Sequence, residues 1–577
     1  MTELPHFERR FFQGDAEISQ IGSGAIGGKA SGLVSARSIL DSVFPGRLFK
    51  KTKIYIPRMA VIACGCFDEF LELNNLRSFL SSEHSDDRIA HTFQKASLPT
   101  SILGDLRSLA QEVHVPLALR SSSLLEDRIF RPFAGVYATK MVANNQPSAD
   151  QRFQKLAEAL KFVWASTFFK EAREYRRAAE CTDEDEKMAV IVQEIVGERH
   201  GPRFYPVISG VARSFNFYPS GRARPENGVV SLALGLGKTI VDGGICWSYS
   251  PAHPAAPPPW NSIDEQLKNT QTEFWAVNMG EISNYDPLRE DEYMLRADLP
   301  AAEYDNSLRH IASTYDCAAD RITPGTGREG PRLLNFAPVL TLNEPPLNPL
   351  IKLLLKGCED ALGSEVEIEF AVNINSLDPG DVRFAFLQVR PMVVSSARIE
   401  VDPLAVPAEK VLLYSEKALG NGVNRDIHDI VYIKPESFDA ALTPQMALEL
   451  EGINRRLLEQ KRPYLLIGFG RWGSSESWLG IPVLWSQISG ARVIVEAQIP
   501  GMTPDLSQGS HFFHNLTSFE VYYLSAPQTA GSTINWDLLR LQTHSEEGKL
   551  TGHVILRSPL ELRVDGRSGR GIVIIHD

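Results

Sequence analysis

The sequence predicts an α+β chain in successive segments, and three observations carry that reading. With 577 residues, 43% of them hydrophobic, the chain exceeds what one core can hold, and at roughly 150 residues per domain it should form three or four. Strand-like runs rich in β-branched residues and stretches with helical spacing both occur along the chain. Two breaks, the acidic run Thr182–Lys187 and the stretch 395–410 with Pro403 and Pro407, divide it into 15–187, 188–395, a linker at 396–410, and a separate α+β domain at 411–577.

In the first segment a glycine-rich turn, Gly22 to Gly28, precedes a helical run from Lys29 to Leu40. Residues 53–63 (KIYIPRMAVIA) read as one extended apolar run, and 114–122 (HVPLALRSS) as a short buried strand entering a polar loop. Residues 149–180 have helical spacing, with Phe153, Leu156, Leu160, Val163 and Trp164 on one face. The second segment opens with MAVIVQEIV (188–196), a strong strand signal, followed by a strand candidate at Gly228–Leu234 and an exposed proline-rich loop at 251–259. Residues 365–372 and 382–390 read as two strands joined by a turn containing Asp378, Pro379 and Gly380. The third segment mixes a helix at 443–460 with strands such as VIVEAQI at 493–499, and no internal repeat occurs.

Composition excludes several classes of function. The net charge of −12, from 59 basic and 71 acidic residues, argues against broad nucleic-acid binding, which needs a basic face. Six scattered cysteines without metal-ligand spacing read as reduced thiols. The N-terminal residues lack the pattern of a signal peptide, and no stretch approaches the ~20 apolar residues of a membrane helix. These features lead to the expectation of a cytoplasmic protein that binds neither nucleic acid nor membrane.

Four groups of residues could carry chemistry. The turn GSGAIGGKASGL, Gly22 to Leu33, could bring backbone and helix-terminal amides close to an anion, with Lys29 adding a point charge; a purely structural turn is the alternative. Arg120 leaves a strand and precedes Ser121, Ser122 and Ser123, an arrangement suited either to a phosphate or to an ion pair with Glu126 or Asp127. Glu369 lies in one predicted strand, and Gln388 and Arg390 in the next. In a hairpin their side chains share a face, and a carboxylate with an amide oxygen suits magnesium. The stretch ALGLGKT, Ala233–Thr239, invites a P-loop reading, but position 232 is leucine where that motif needs glycine.

Taken in order, these motifs resemble the ATP-grasp nucleotide-binding part of the phosphoenolpyruvate synthase and pyruvate phosphate dikinase family, from about residue 20 to about 395. GGKASGL at 27–33 is similar to its lysine motif, and LRSSSLLED at 119–127 with FAG at 133–135 to its arginine-serine loop. MAVIVQEIV, SGVA at 209–212, GLG at 235–237 and the pair from Ile368 to Pro391 complete the set. The resemblance implies a two-lobed ATP-grasp module and an ATP-dependent phosphotransferase using ATP and Mg2+. Lys29, Arg120 and Arg390 would bind phosphates, joined by Ser121, Gly235 and Gly237. Gln193 and Glu194 would meet the adenine, and Glu369 and Gln388 would hold magnesium. Lys238 departs from the family, where glutamate often follows GLG.

The last segment holds GFGRWGSSESWLGIPVLW (468–485), which suits an anion loop centred on Arg471 or a packing loop, and SQGSHFFHN (507–515). In the latter, His511 resembles the family's phosphate-carrying histidine; a packing histidine is the alternative, and His514 follows three residues later. A pyruvate-binding (β/α)8 barrel needs ~250 residues, so none is expected in the stretch after the linker. The phosphate acceptor is therefore unidentified, and a partner protein could carry the missing domains. Two further readings remain: an ATP-sensing module without turnover, and one half of a split dikinase.

Overall fold

The computed structural model describes residues 4–8, 17–43, 51–126, 135–178, 181, 186–219, 221–256, 262–281, 285–343, 345–374, 381–392, 394, 399–473, 480–498, 516, 521–526, 534–542 and 544–576. It is a mixed α/β protein with several sheets. Two compact units emerge. One comprises residues 1–215, 220–240 and 245–392; the other comprises 216–219, 241–244 and 393–577.

The first unit contains a five-stranded sheet in the order Ile18–Ile21, Met59–Ile62, Met188–Glu194, Leu117–Ser123, Thr139–Val142. Met188–Glu194, which opens the second segment of the sequence, thus pairs between strands of the first. The helix Ala149–Ser166 buries Leu156, Leu160, Val163 and Trp164, as its spacing predicts. Trp164 meets Phe70 and Phe67 at ring-centroid distances of 4.8 and 6.0 Å. Phe153 is only half-buried and lies under the Arg107 guanidinium.

A six-stranded sheet follows in the order Trp247–Tyr249, Val229–Ala233, Ile208–Arg213, Val366–Ile374, Val382–Pro391, Thr52–Tyr55. The helices Gly27–Val43 and Leu347–Leu362 share its apolar core. Residues 53–63 are therefore not one run. Thr52–Tyr55 joins this sheet, whereas Met59–Ile62 joins the five-stranded one. The chain changes sheet at Ile56-Pro57-Arg58, where proline removes a ladder donor. Two smaller antiparallel sheets complete the unit, one of them containing Glu273–Asn278 and Met294–Asp298.

The second unit is organised around one sheet. Its centre is a run of four parallel strands, Gly422–Ile433, Tyr464–Phe469, Ala491–Ala497 and Tyr522–Ala526. The helix Thr443–Glu459 connects the first two, which is the crossover that parallel pairing requires. Asp429, in the first of these strands, is buried and accepts two hydrogen bonds from Arg462, at 2.9 and 2.7 Å, and one from His553 Nε2 at 2.7 Å.

No helix among the described residues is long and apolar enough to cross a membrane. The six cysteines are free thiols, and burial pushes Cys64 up to about 12 and Cys66 to about 11. At those values neither is a thiolate at neutral pH, so neither is a ready nucleophile.

Candidate active site

Strand registry builds the site. Val366–Ile374 lies between Ile208–Arg213 and Val382–Pro391, and both pairings are antiparallel. One rung therefore aligns Arg213, Glu367 and Arg390, and a neighbouring rung aligns Val211, Glu369 and Gln388. Because side chains alternate along a strand, Glu367, Glu369, Gln388 and Arg390 project from one face. The hairpin thus brings Glu369 opposite Gln388, as its sequence suggests; its turn residues Asp378, Pro379 and Gly380 lie outside the described residues.

The polar rung is tightly paired. Glu367 accepts from Arg213 Nε at 2.6 Å and from Arg390 Nε and Nη2 at 2.9 and 2.5 Å. Arg390 Nη2 also lies 3.4 Å from Glu369 Oε1. Both arginines and Glu367 are buried, whereas the Glu369 side chain keeps 18% exposure. Two arginines thus share the buried Glu367, and the second of them also approaches Glu369.

The five-stranded sheet supplies the opposing groups. In its register Ala118 pairs with Gln193, so Arg120, two residues on, shares a face with Gln193. Arg120 Nη2 donates to Gln388 Oε1 at 2.7 Å, and Nη1 to the Leu387 carbonyl at 3.0 Å and to Gln193 Oε1 at 3.3 Å. Its distance to Glu369 Oε2 is 3.7 Å. Arg120 therefore pairs with the hairpin, and Glu126, one of the two carboxylates considered for it in the sequence, takes Lys29 at 2.7 Å; Asp127, the other, lies outside the described residues.

The glycine-rich turn is packed against protein. Gly27 has φ +76°, and a Cβ there would fall 1.7 Å from the Ser122 carbonyl oxygen. Ser122 Oγ accepts from Ala30 N at 3.0 Å and donates to the Ile26 carbonyl at 2.8 Å. The helix-terminal amide of Ala30, expected to be open to an anion, is thus satisfied by a serine. The glycines bring the helix of Lys29 onto the strand of Arg120, and Lys29 itself faces Ser121 and Glu126.

The remaining predicted residues fall around this centre. Glu194 ends its strand beside Gln193, and desolvation raises its carboxyl above the usual range despite Arg58 nearby. An apolar patch of Val196, Ala371, Ala385, Tyr55 and Leu387 adjoins them. Gly235 has φ +84°, and a Cβ there would meet the Trp275 carbonyl oxygen at 2.6 Å. Ser209 Oγ donates to the Gly235 carbonyl at 2.6 Å, so the Gly235–Gly237 turn hangs beside the rung of Ser209 and Ala371. Lys238 follows, 6.0 Å from the Trp275 ring centroid. His511 and His514 lie outside the described residues.

Sequence reasoning missed Glu367 and Arg213. The signal for Glu367 was available, since a residue two before Glu369 in a strand shares its face. Among the described residues no cluster of three or more His, Cys, Asp and Glu side chains could hold a metal ion. Glu367 is taken by two arginines and Gln388 Oε1 accepts from Arg120, while the Glu369 carboxylate lies 3.4 and 3.7 Å from Arg390 and Arg120. A carboxylate and an amide oxygen are hard donors of the kind magnesium takes, and Gln388 would reach a metal only by giving up Arg120.

Residues 23–409 match the family described as pyruvate phosphate dikinase, AMP/ATP-binding domain. A phosphoenolpyruvate synthase from Aeropyrum pernix is 23% identical over 439 residues, which cover 72% of this chain and 46% of that protein. The chain thus spans about half the length of the curated relative it matches.

Proposed function

The chain belongs to the family of pyruvate phosphate dikinase AMP/ATP-binding domains, and from that premise we propose that it is an Mg-ATP-dependent phosphotransferase of ATP-grasp organisation. In this reading the five-stranded and six-stranded sheets would be the cores of its two lobes, to which the stretches 15–187 and 188–395 each contribute strands, and 411–577 a further domain. The observation that carries the proposal is the convergence of Arg120, from one sheet, on the hairpin holding Glu369, Gln388 and Arg390.

Phosphoryl transfer depends chiefly on positioning and on cations around a developing negative charge. Arg120 and Arg390 offer planar donor forks suited to phosphate oxygens, and Lys29 offers a third cationic donor. Glu369 and Gln388 would hold magnesium, which when bound supplies charge neutralisation between phosphate oxygens. Gln193 and Glu194 would give the adenine its hydrogen bonds, and the Val196–Ala371–Ala385 patch an apolar surface. His511 would act as a phosphate carrier, the acceptor beyond it being unidentified.

A second reading, nucleotide sensing without turnover, draws support from the pairing of Lys29, Arg213 and Arg390 with carboxylates. One experiment separates the two. The chain is incubated with β- and γ-labelled ATP and magnesium, and products and protein are followed by mass spectrometry. Formation of ADP or AMP that disappears in Arg120→Ala and Arg390→Ala supports the phosphotransferase. Binding without product supports sensing, and absence of binding overturns both.

A further inference from the structure

Lys29, Ser121 and Glu126 form a closed triangle of hydrogen bonds. Lys29 Nζ donates to Glu126 Oε1 at 2.7 Å and to Ser121 Oγ at 3.1 Å, while Ser121 Oγ donates to the same Oε1 at 3.0 Å. The carboxylate is anchored from behind, because Oε2 accepts from Ser123 N at 2.8 Å. The turn beneath is locked in return, with Leu125 N and Glu126 N both donating to Ser123 Oγ at 3.1 Å. Glu126 and Ser121 are buried, and the Lys29 side chain retains 12% exposure.

An ammonium group has three protons. Two are engaged inside the triangle, and among the described residues the third meets no acceptor. Ser121 adjoins Arg120 in the strand Leu117–Ser123 with its side chain on the other face, and the helix of Lys29 reaches the hairpin itself, where a Cβ at Gly32 would lie 3.2 Å from the Val389 carbonyl oxygen. A flexible four-carbon stem ordinarily loses rotamer entropy when it binds a ligand. Here two side chains have immobilised it beforehand.

We propose that Glu126 is the positioning residue of the nucleotide site: with Ser121 it docks the Lys29 ammonium by two protons and reserves the third for a phosphate oxygen. The inference rests on the proposed binding of ATP phosphates near Lys29. It also gives Ser121 a different task from direct phosphate binding, since its hydroxyl proton is committed to Glu126. Lysine is required at position 29 because a guanidinium is too wide for a triangle with edges of 2.7, 3.0 and 3.1 Å.

The test is calorimetry of Mg-ATP and of adenosine on the full chain. Glu126→Gln keeps the shape and removes the charge, and should weaken Mg-ATP by about 10- to 100-fold, the range for a lost charge-assisted hydrogen bond. Adenosine, which has no phosphate, should bind as to the wild type. Lys29→Met should weaken Mg-ATP, and adding Glu126→Gln to it should cost nothing more. Glu126→Asp, which restores the charge, should recover part of the loss. Should Glu126→Gln not fold, Ser121→Ala keeps every charge and should give a smaller loss of Mg-ATP affinity that also vanishes on Lys29→Met. Unchanged Mg-ATP affinity in a folded Glu126→Gln protein, or losses that add to that of Lys29→Met, would overturn the positioning role while leaving ATP binding intact. Absence of ATP binding by the wild type would overturn both.

Discussion

Glu367 in the first unit and Asp429 in the second are both buried carboxylates held by two side chains: Arg213 and Arg390 for the one, Arg462 and His553 for the other. Their surroundings differ. Around Glu367 stand Glu369 and Arg120, with side chains 18% and 14% exposed. Arg462 instead lies two residues before the strand Tyr464–Phe469, which pairs with that of Asp429, and ties down the connection from the helix Thr443–Glu459. A buried ion cluster is therefore not itself the mark of a site. What distinguishes the first is that its partly exposed charges, Glu369 and Arg120, lie beside the buried carboxylate and come from strands of two different sheets, whereas the partly exposed Arg462 is itself bound to Asp429.

The largest expected effects test the shared part of this comparison. Breaking a buried ion pair by removing one partner typically costs about 3–5 kcal/mol, because the remaining charge is left uncompensated. Glu367→Ala and Asp429→Ala should both destabilise by that order, read as loss of thermal stability. They should then diverge. Saturating Mg-ATP should restore much of the stability lost in Glu367→Ala, since phosphate can take over the two arginines, and none of that lost in Asp429→Ala. Equal restoration in both would erase the distinction between site and scaffold.

The next effect concerns geometry. Arg120→Lys and Arg390→Lys keep charge but lose the planar fork. Each should weaken Mg-ATP binding by about 1.5–3 kcal/mol, measured by calorimetry. Arg462→Lys, by contrast, should leave ATP affinity unchanged while lowering stability. Full ATP affinity in both Arg120→Lys and Arg390→Lys would show that simple charge suffices.

Much of the first region was legible because its chemistry follows a local rule. Strand alternation placed Glu369, Gln388 and Arg390 on one face before any pairing was known, and the turn between the runs implied a hairpin. Glu367 obeys the same alternation, two residues before Glu369 in the strand. Arg213 was not legible, since its rung depends on a strand more than 150 residues away. The same limit explains why 53–63 read as one strand and why Met188–Glu194 read as the opening of a new segment. Which sheet a strand joins is decided by non-local packing. The partner of Lys29 was likewise hidden, because Glu126 lies six residues from Arg120 in sequence and 97 from Lys29.

A smaller effect sharpens the role of Glu369. If it holds magnesium against phosphate, Glu369→Ala should weaken Mg-ATP by roughly tenfold, ~1.4 kcal/mol, and metal-free ATP much less. Titrations with and without magnesium would decide it, and equal losses would remove the metal role. The same substitution should cost little stability, because Glu369 is the partly exposed member of its cluster and Glu367 remains to hold Arg390.

The smallest effect comes from a third carboxylate, Glu561, which is itself buried but held by exposed partners. Glu561 accepts from Arg425 Nη2 at 2.7 Å, Arg563 Nε at 2.9 Å and His576 Nε2 at 3.2 Å. Burial alone would raise its carboxyl, but hydrogen bonds and charge from Arg425 and Arg563 outweigh it and bring the value down to about 2. The folded value thus lies below the unfolded one of ~4.3, so between the two the unfolded chain binds more protons. The stabilisation is present above about pH 4.5 and is lost as pH falls toward 2. Its size is limited by its partners: the Arg425 side chain is 66% exposed, and exposed pairs contribute about 0.2–1 kcal/mol and weaken with salt. Glu561→Gln should therefore lower stability slightly at pH 7 in low salt, with the gap closing both at pH 3 and in 1 M salt (roughly 3 Å screening length). Urea unfolding under those conditions would show it. Asp429→Asn should behave differently, because Asp429 is buried and its partners His553 and Arg462 are less exposed, at 6% and 35%, so most of its loss should persist in high salt. A salt-insensitive Glu561 would place it with Asp429 and Glu367, and the graded exposure of the partners that separates the three carboxylates would no longer account for their roles.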